Sequence, residues 1–181
     1  MDSAVGVSFI AIELTFIVLA GLATLRTGFM RLDSWIGIGG DGLQLGRAAP
    51  SWMLPDITGR MHVTPATDHW QILIFANIGI VGLPDLVGGI RNFLSSVDET
   101  ELLLLSTDTP EECRATVQGL HLQTPIVPVD SGFYNRFRVR VMPYAMILNP
   151  QGIVRWQGLV NTEAQLFHMR RMAQAEDDSS V

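Results

Sequence analysis

Two apolar runs constrain the fold more than anything else in the chain. "WQILIFAN" (70–77) and "ELLLLST" (101–107) are short, unbroken and rich in branched residues. That is the pattern of strands covered on both faces. Between them, Leu83, Leu86, Val87, Ile90, Phe93, Leu94 and Val97 recur at spacings of three and four. They form one face of a helix, which Gly88 and Gly89 weaken.

The rest of the chain continues the alternation. "APSWMLPDITGRMHV" reads as two extended pieces turning around Asp56 to Arg60. "DTPEECRATVQGL" (108–120) opens with a cap-type residue, Pro110 and two glutamates, a helix start. "TPIVPVD" (124–130), bracketed by prolines, suits a strand at a sheet margin, and "SGFYNRF" a short helix. "YAMILNPQGIVRWQGLV" (144–160) is a hairpin turned at Asn-Pro-Gln-Gly, and "NTEAQLFHMRRMAQA" (161–175) a capped final helix. The order β-α-β-α-β-α-β-β-α predicts an α/β sheet with helical cover.

Ahead of this body, residues 4–25 hold one ionisable group, Glu13. About 20 apolar residues suffice to cross a bilayer as a helix. No basic residue precedes the run, and it is long for a leader, so a retained single-pass anchor is expected rather than a cleaved signal peptide. The domain expectation is an anchor over 1–27, an interfacial linker over 28–48, a folded domain over 49–175 and a solvated acidic tail over 176–181. A carboxyl inside a spanning helix costs roughly 2.5–3.5 kcal/mol on insertion scales, so Glu13 is read as a contact to neighbouring membrane helices.

Charge and cysteine content exclude several classes. The net charge of −6 gives no nucleic-acid footprint. The single cysteine, Cys113, rules out an internal disulfide or dithiol cycle and a thiolate zinc site. His62, His69, His121 and His168 lack ligand spacing and read as surface or hydrogen-bonded side chains, so no metal and no cofactor is expected. Asp85 reads as a cap-type charge in a first helical turn.

Three stretches in this order carry a family resemblance: "GRAAPSWMLPDITGR", "LIFANIGIVGLPDL" and "VMPYAMILNPQGIVRWQGLV". Over about residues 46–172 the chain resembles the thioredoxin-like fold, in its membrane-anchored TlpA/MauD-like branch. Gly46, Ala49, Pro50, Leu54, Asp56 and Gly59 match the family's opening. Met142-Pro143 matches the proline that is cis in the family and faces the active-site loop. Asn149, Pro150, Gly152 and Gly158 match the terminal hairpin. The resemblance implies a central mixed sheet flanked by helices, preceded by the transmembrane segment.

One landmark departs from the family. The two cysteine positions of the loop fall on Ile80 and Leu83, in Ile80-Val81-Gly82-Leu83. Aliphatic side chains cannot form a thiolate, so disulfide exchange cannot occur at this loop. The resemblance places Cys113 away from it, as a small, partly buried helix residue.

With Ile78, Ile80, Val81, Leu83, Met142, Pro143 and Tyr144, the loop would present an apolar face. Partner docking, covering by the chain itself and a small-ligand groove are the three readings of that face. The expectation is a redox-inactive, membrane-anchored accessory or assembly subunit, not an enzyme. It would dock on a larger membrane complex, such as an electron-transfer or photosynthetic one, through the apolar loop and Glu13. It would sit in the bacterial inner membrane and contact the lipid bilayer. The alternative is a MauD-like thiol-disulfide oxidoreductase or maturation factor acting through Cys113; a chaperone-like holder of clients is a third reading. Arg26 and Arg31 favour a cytoplasmic body, whereas the resemblance favours a periplasmic one.

Overall fold

The computed structural model describes residues 40–77, 83–97, 99–120 and 122–179, without the side chains of Leu83, Pro84 and Leu120. The expected anchor with Glu13, the linker up to residue 39, and Ile78, Ile80 and Val81 of the loop lie outside these residues. Among the described residues no helix is long and apolar enough to cross a membrane.

The strands are β1 (Trp52–Pro55), β2 (Met61–Thr64), β3 (Trp70–Phe75), β4 (Thr100–Ser106), β5 (Ile126–Pro128), β6 (Tyr144–Leu148) and β7 (Val154–Leu159). The helices are α1 (Leu83–Ser96), α2 (Pro110–Leu120), α3 (Ser131–Arg136) and α4 (Glu163–Asp178). β1 and β2 pair as an antiparallel ribbon, and the other five strands form one sheet in the order β5-β4-β3-β6-β7. β3, β4 and β5 run parallel, while β6 and β7 are antiparallel to their neighbours.

The apolar runs become the two central strands because alternate residues point to opposite faces and both faces are covered. Ile72, Ile74, Leu102 and Leu104 pack under α1 and α4 with Leu86, Ile90, Phe93, Leu166 and Met169. Leu73, Phe75, Leu103 and Leu105 face the other way, against Phe133, Phe137 and Trp52. Asp130 caps α3, accepting from Phe133 N–H at 2.7 Å. Thr162 and Gln165 form a reciprocal capping box at the start of α4.

Two expected boundaries move. The residues before Ala49 are tied into the body from Asp41 onward: Gly42 N–H donates to Arg138 O at 2.8 Å and Gly46 N–H to Val154 O at 2.9 Å. Leu43 N–H donates to Gln157 Oε1 at 3.1 Å. Gly42 has φ +81, and a Cβ there would collide with Gln157 and the Tyr144 hydroxyl. Glycines without a hydrophobic period suggest a linker; here they form turns that press the chain flat against β6 and β7. At the other end, α4 continues through Asp178. Asp177 accepts from Asn149 Nδ2 at 2.7 Å and pairs with Arg155 Nε at 2.6 Å, so this acidic stretch is held by partners rather than only solvated.

Candidate functional site

Two landmarks of the resemblance, the end of β3 and Met142-Pro143, meet at one end of the sheet. β3 and β4 finish together, with Phe75 beside Leu105. Ala76 N–H then donates to Leu105 O at 3.0 Å, and Thr107 Oγ1 donates to Asn77 Oδ1 at 2.9 Å. β6 enters at this end with Tyr144 opposite Phe75. Pro143, which follows Met142 through a cis peptide bond, therefore stands beside the exit of β3. α1 begins just past the loop at Leu83, and Asp85 lies in its first turn, a favourable place for a negative charge.

The expected contact surface is corrected in part. Tyr144 is 1 % exposed and its hydroxyl donates to Asp41 O at 3.2 Å, so it cannot meet a partner. Burial, with the charge of Asp41, pushes its phenol up to about 12. Pro143 is also buried, and Met142 is half-buried. The residue after Met142-Pro143 serves the fold: β6 turns Tyr144 inward onto the segment that sequence patterning assigns to the linker.

Cys113 stands closer to this end than the resemblance implies. α2 starts four residues beyond the end of β4, so it too hangs from the loop end of the sheet. Cys113 is fully buried, in a core cluster that also holds Ala76 and Leu86. Its Sγ lies 3.8 Å from Asp108 O. Ser106 Oγ donates to Asp108 Oδ2 at 2.7 Å, and Asp108 N–H donates back to Ser106 Oγ at 3.1 Å. Tyr134 closes the inner side, donating its hydroxyl to Leu105 O at 2.6 Å. Burial first, and then the Asp108 charge, push the Cys113 thiol above its ordinary value of 9.0. In this conformation it is a protonated, weak nucleophile.

A polar cluster lies near the opposite end of the sheet. His62, 3 % exposed, places Nδ1 2.9 Å from Glu101 Oε1 and Nε2 3.1 Å from Asp56 Oδ2. Gln71 Nε2 donates to Glu101 Oε2 at 2.8 Å, and His69 Nε2 lies 3.4 Å from the same oxygen. Sequence reasoning read His62 as a surface or hydrogen-bonded side chain and missed its burial. The signal was present: in β2, Met61 and Val63 face out while His62 and Thr64 face in. Among the described residues no group of three His, Cys, Asp or Glu could hold a metal ion.

No family model matches the chain. The methylamine utilization protein MauD of Paracoccus denitrificans is 29% identical over 129 residues, covering 69% of this chain and 64% of that protein. MauD of Methylorubrum extorquens is 25% identical over 164 residues, 84% of this chain and 80% of that protein. The chain thus spans less than two-thirds of the length of its Paracoccus relatives, 64% in each. Among solved structures, a thiol:disulfide interchange protein DsbE from Chlorobium tepidum superposes with a TM-score of 0.65 at 16% identity, covering 74% of this chain and 98% of that one. The C-terminal domain of a thiol-disulfide oxidoreductase from Bacteroides thetaiotaomicron gives 0.61 at 14%, covering 73% and 97%.

The fold is thioredoxin-like, the relatives are MauD proteins, and the missing Cys-x-x-Cys pair accords with the single cysteine. The expectation that the chain is not an enzyme is thereby overturned. What overturns it is that its relatives carry the MauD name and that its fold is shared with solved thiol-disulfide oxidoreductases. The step that failed was to read the absence of an activity from the absence of the loop cysteines.

Proposed function

We propose that the chain is a membrane-anchored, MauD-like thiol-disulfide oxidoreductase or maturation factor that works through Cys113. The observation that carries this reading is the place of the thiol. It lies in the first turn of α2, just after the end of β4, which finishes beside the end of β3. The MauD relatives support the class.

One thiol cannot cycle between dithiol and disulfide alone, so the reaction is an exchange with a partner. The Cys113 thiolate attacks a disulfide of the client, one S–S bond breaks, a mixed disulfide forms, and the departing sulfur leaves as a thiolate that takes a proton. A thiolate from a second protein or small molecule then attacks the client sulfur of the mixed disulfide, forms a new disulfide with the client and releases Cys113 as a thiolate that takes a proton. Because burial keeps the thiol protonated, the first turn of α2 must move aside for exchange. The apolar loop (Ile78, Ile80, Val81, Leu83) with Met142 would receive the client, and residues 4–25 would hold the domain at the bacterial inner membrane, on its periplasmic side. Glu13 would meet the membrane helices of the client complex.

Insulin reduction by dithiothreitol tests the reading. The wild-type chain accelerates it, and mass spectrometry traps a mixed disulfide on Cys113. Equal rates for wild type and Cys113→Ser overturn it.

A further inference from the structure

We infer that Arg136, Arg138 and Arg140 dock the loop end of the domain on an anionic lipid surface. Docking rests on the membrane-anchored reading of the chain and not on Cys113. In "NRFRVRV" (135–141) every second side chain turns outward. Phe137 and Val139 are buried, and the three arginines around them are exposed. Phe137 stacks on Phe133 with ring centroids 5.0 Å apart, which gives the strip a fixed base.

The charge of the strip is not cancelled by its surroundings. Arg140 Nε bonds Asp41 Oδ1 at 2.7 Å, whereas among the described residues no ion pair engages Arg136 or Arg138. Asp130 is spent on the Phe133 N–H. Exposed carboxylates at this end of the sheet, Asp85, Glu111 and Glu112, sit on α1 and α2, which pack on the opposite face from α3. In a chain of net charge −6, one face of the loop end is therefore positive.

The backbone supplies a second, independent mark. Arg138 has φ +56, in the left-handed region that favours glycine. Its N–H donates to Asn135 O at 3.1 Å and its carbonyl accepts from Gly42 N–H at 2.8 Å, which hold it there. Strain of this kind gathers where a side chain serves a function.

The entry of the chain selects lipid as the occupant. Arg140 Nη2 donates to Gly40 O at 3.3 Å, so the first described residues are pinned on the strip itself. Only residues 26–39 separate Gly40 from the apolar run 4–25, and Arg26 and Arg31 among them are basic. Basic clusters beside a membrane segment are drawn to anionic headgroups. Met142-Pro143 follows Arg140 closely, so docking turns the client-receiving end toward the bilayer and selects clients whose disulfides lie at headgroup level.

The test uses the full chain with Cys113→Ser, in phosphatidylcholine vesicles with or without phosphatidylglycerol. A donor fluorophore on Asn135→Cys, and separately on Asn92→Cys of α1, reads energy transfer to a headgroup-bound acceptor. Transfer from position 135 is expected to exceed that from position 92 by about twofold or more when phosphatidylglycerol is present, and to fall back in high salt. Arg138→Gly keeps the fold, because glycine prefers the backbone that Arg138 adopts. It and Arg136→Gln are each expected to cut the docked-to-free ratio by about fivefold. Transfer that ignores phosphatidylglycerol, is equal from the two positions, or survives loss of both arginines overturns the docking. So does a strip that binds deca-glutamate, a mimic of an acidic protein partner, in preference to the vesicles. Alkaline carbonate extraction separates the two readings. A chain that resists it without these responses loses the docking alone; a chain that is released loses the anchor and the docking with it.

Discussion

His62 Nδ1 lies 2.9 Å from Glu101 Oε1, and this contact joins the β1–β2 ribbon to the start of β4. The other ring nitrogen faces Asp56. Both contacts are hydrogen bonds at once only when each ring nitrogen carries a proton or one carboxyl holds one. For Asp56, burial works to raise the pKa, but bonds from Thr58, His62 and the Arg60 N–H outweigh it and hold the carboxyl below 3.8. For Glu101 burial is likewise outweighed, by Gln71, His62 and His69, and the value falls below 4.5.

Carboxyls depressed in the folded state stabilise it above their unfolded pKa values, and that contribution is lost as pH falls through the folded ones. The melting temperature is therefore expected to drop as pH falls below about 4.5, and to drop less steeply in Glu101→Gln. His62→Ala leaves the buried Asp56 and the partly exposed Glu101 without the ring between them and is expected to cost about 1–3 kcal/mol. Circular dichroism melts from pH 7 to pH 3 check both, and a pH profile identical in Glu101→Gln contradicts the assignment.

The adjacent glycines of α1 should respond oppositely to alanine. At Gly88 the added methyl meets nothing within 4 Å, so Gly88→Ala is expected to stabilise by about 1 kcal/mol through helix propensity. At Gly89 it would collide with the Cβ of Glu163 where α4 begins, and Gly89→Ala is expected to destabilise by about 1–3 kcal/mol. Urea unfolding of the two variants side by side reads the difference in sign.

Asn149 does three jobs in the last hairpin. Its Oδ1 accepts from Ile153 N–H at 2.9 Å and Gln151 N–H at 3.2 Å, while its amide donates to Asp177. Asn149→Ala removes all three from a residue that is 2 % exposed, with an expected loss of about 2 kcal/mol. Asp177→Ala should cost less, because the turn keeps its own bonds. Chemical denaturation of the two variants gives the order.

The raised thiol pKa of Cys113 makes a kinetic prediction. Iodoacetamide should label the native chain slowly at pH 7, faster as pH rises past 9, and fast at any such pH in denaturant. The linked stability runs the other way from that of the carboxyls. A raised acid favours the fold below its unfolded pKa, and that contribution is lost as pH rises through the folded one. Native labelling as fast as denatured labelling would show that the thiol is not buried.

Most of the framework is legible along the chain, for a local reason. Strand runs such as 70–77 and helix faces such as that of Leu86, Ile90 and Phe93 are periodic patterns of contiguous residues, and caps such as Thr162 with Gln165 act over three positions. The seven strands and four helices of the described residues follow from these. The segment from Asp41 to Ala48 does not, because its only signal is glycine: what holds it is Gln157 and Arg138, more than ninety residues away. The inward turn of Tyr144 depends on the same distant segment.

The site divides along the same line. From sequence alone came the loop without cysteines, the Met142-Pro143 step beside it and the single thiol, since each is a matter of residue identity at a spacing. Only the tertiary structure set the first turn of α2, with Cys113, at the end of the sheet where β3 finishes, and His62 between two carboxylates. These are meetings of residues far apart in the chain, decided by strand order and register, and no local pattern encodes which side chains a folded sheet brings face to face.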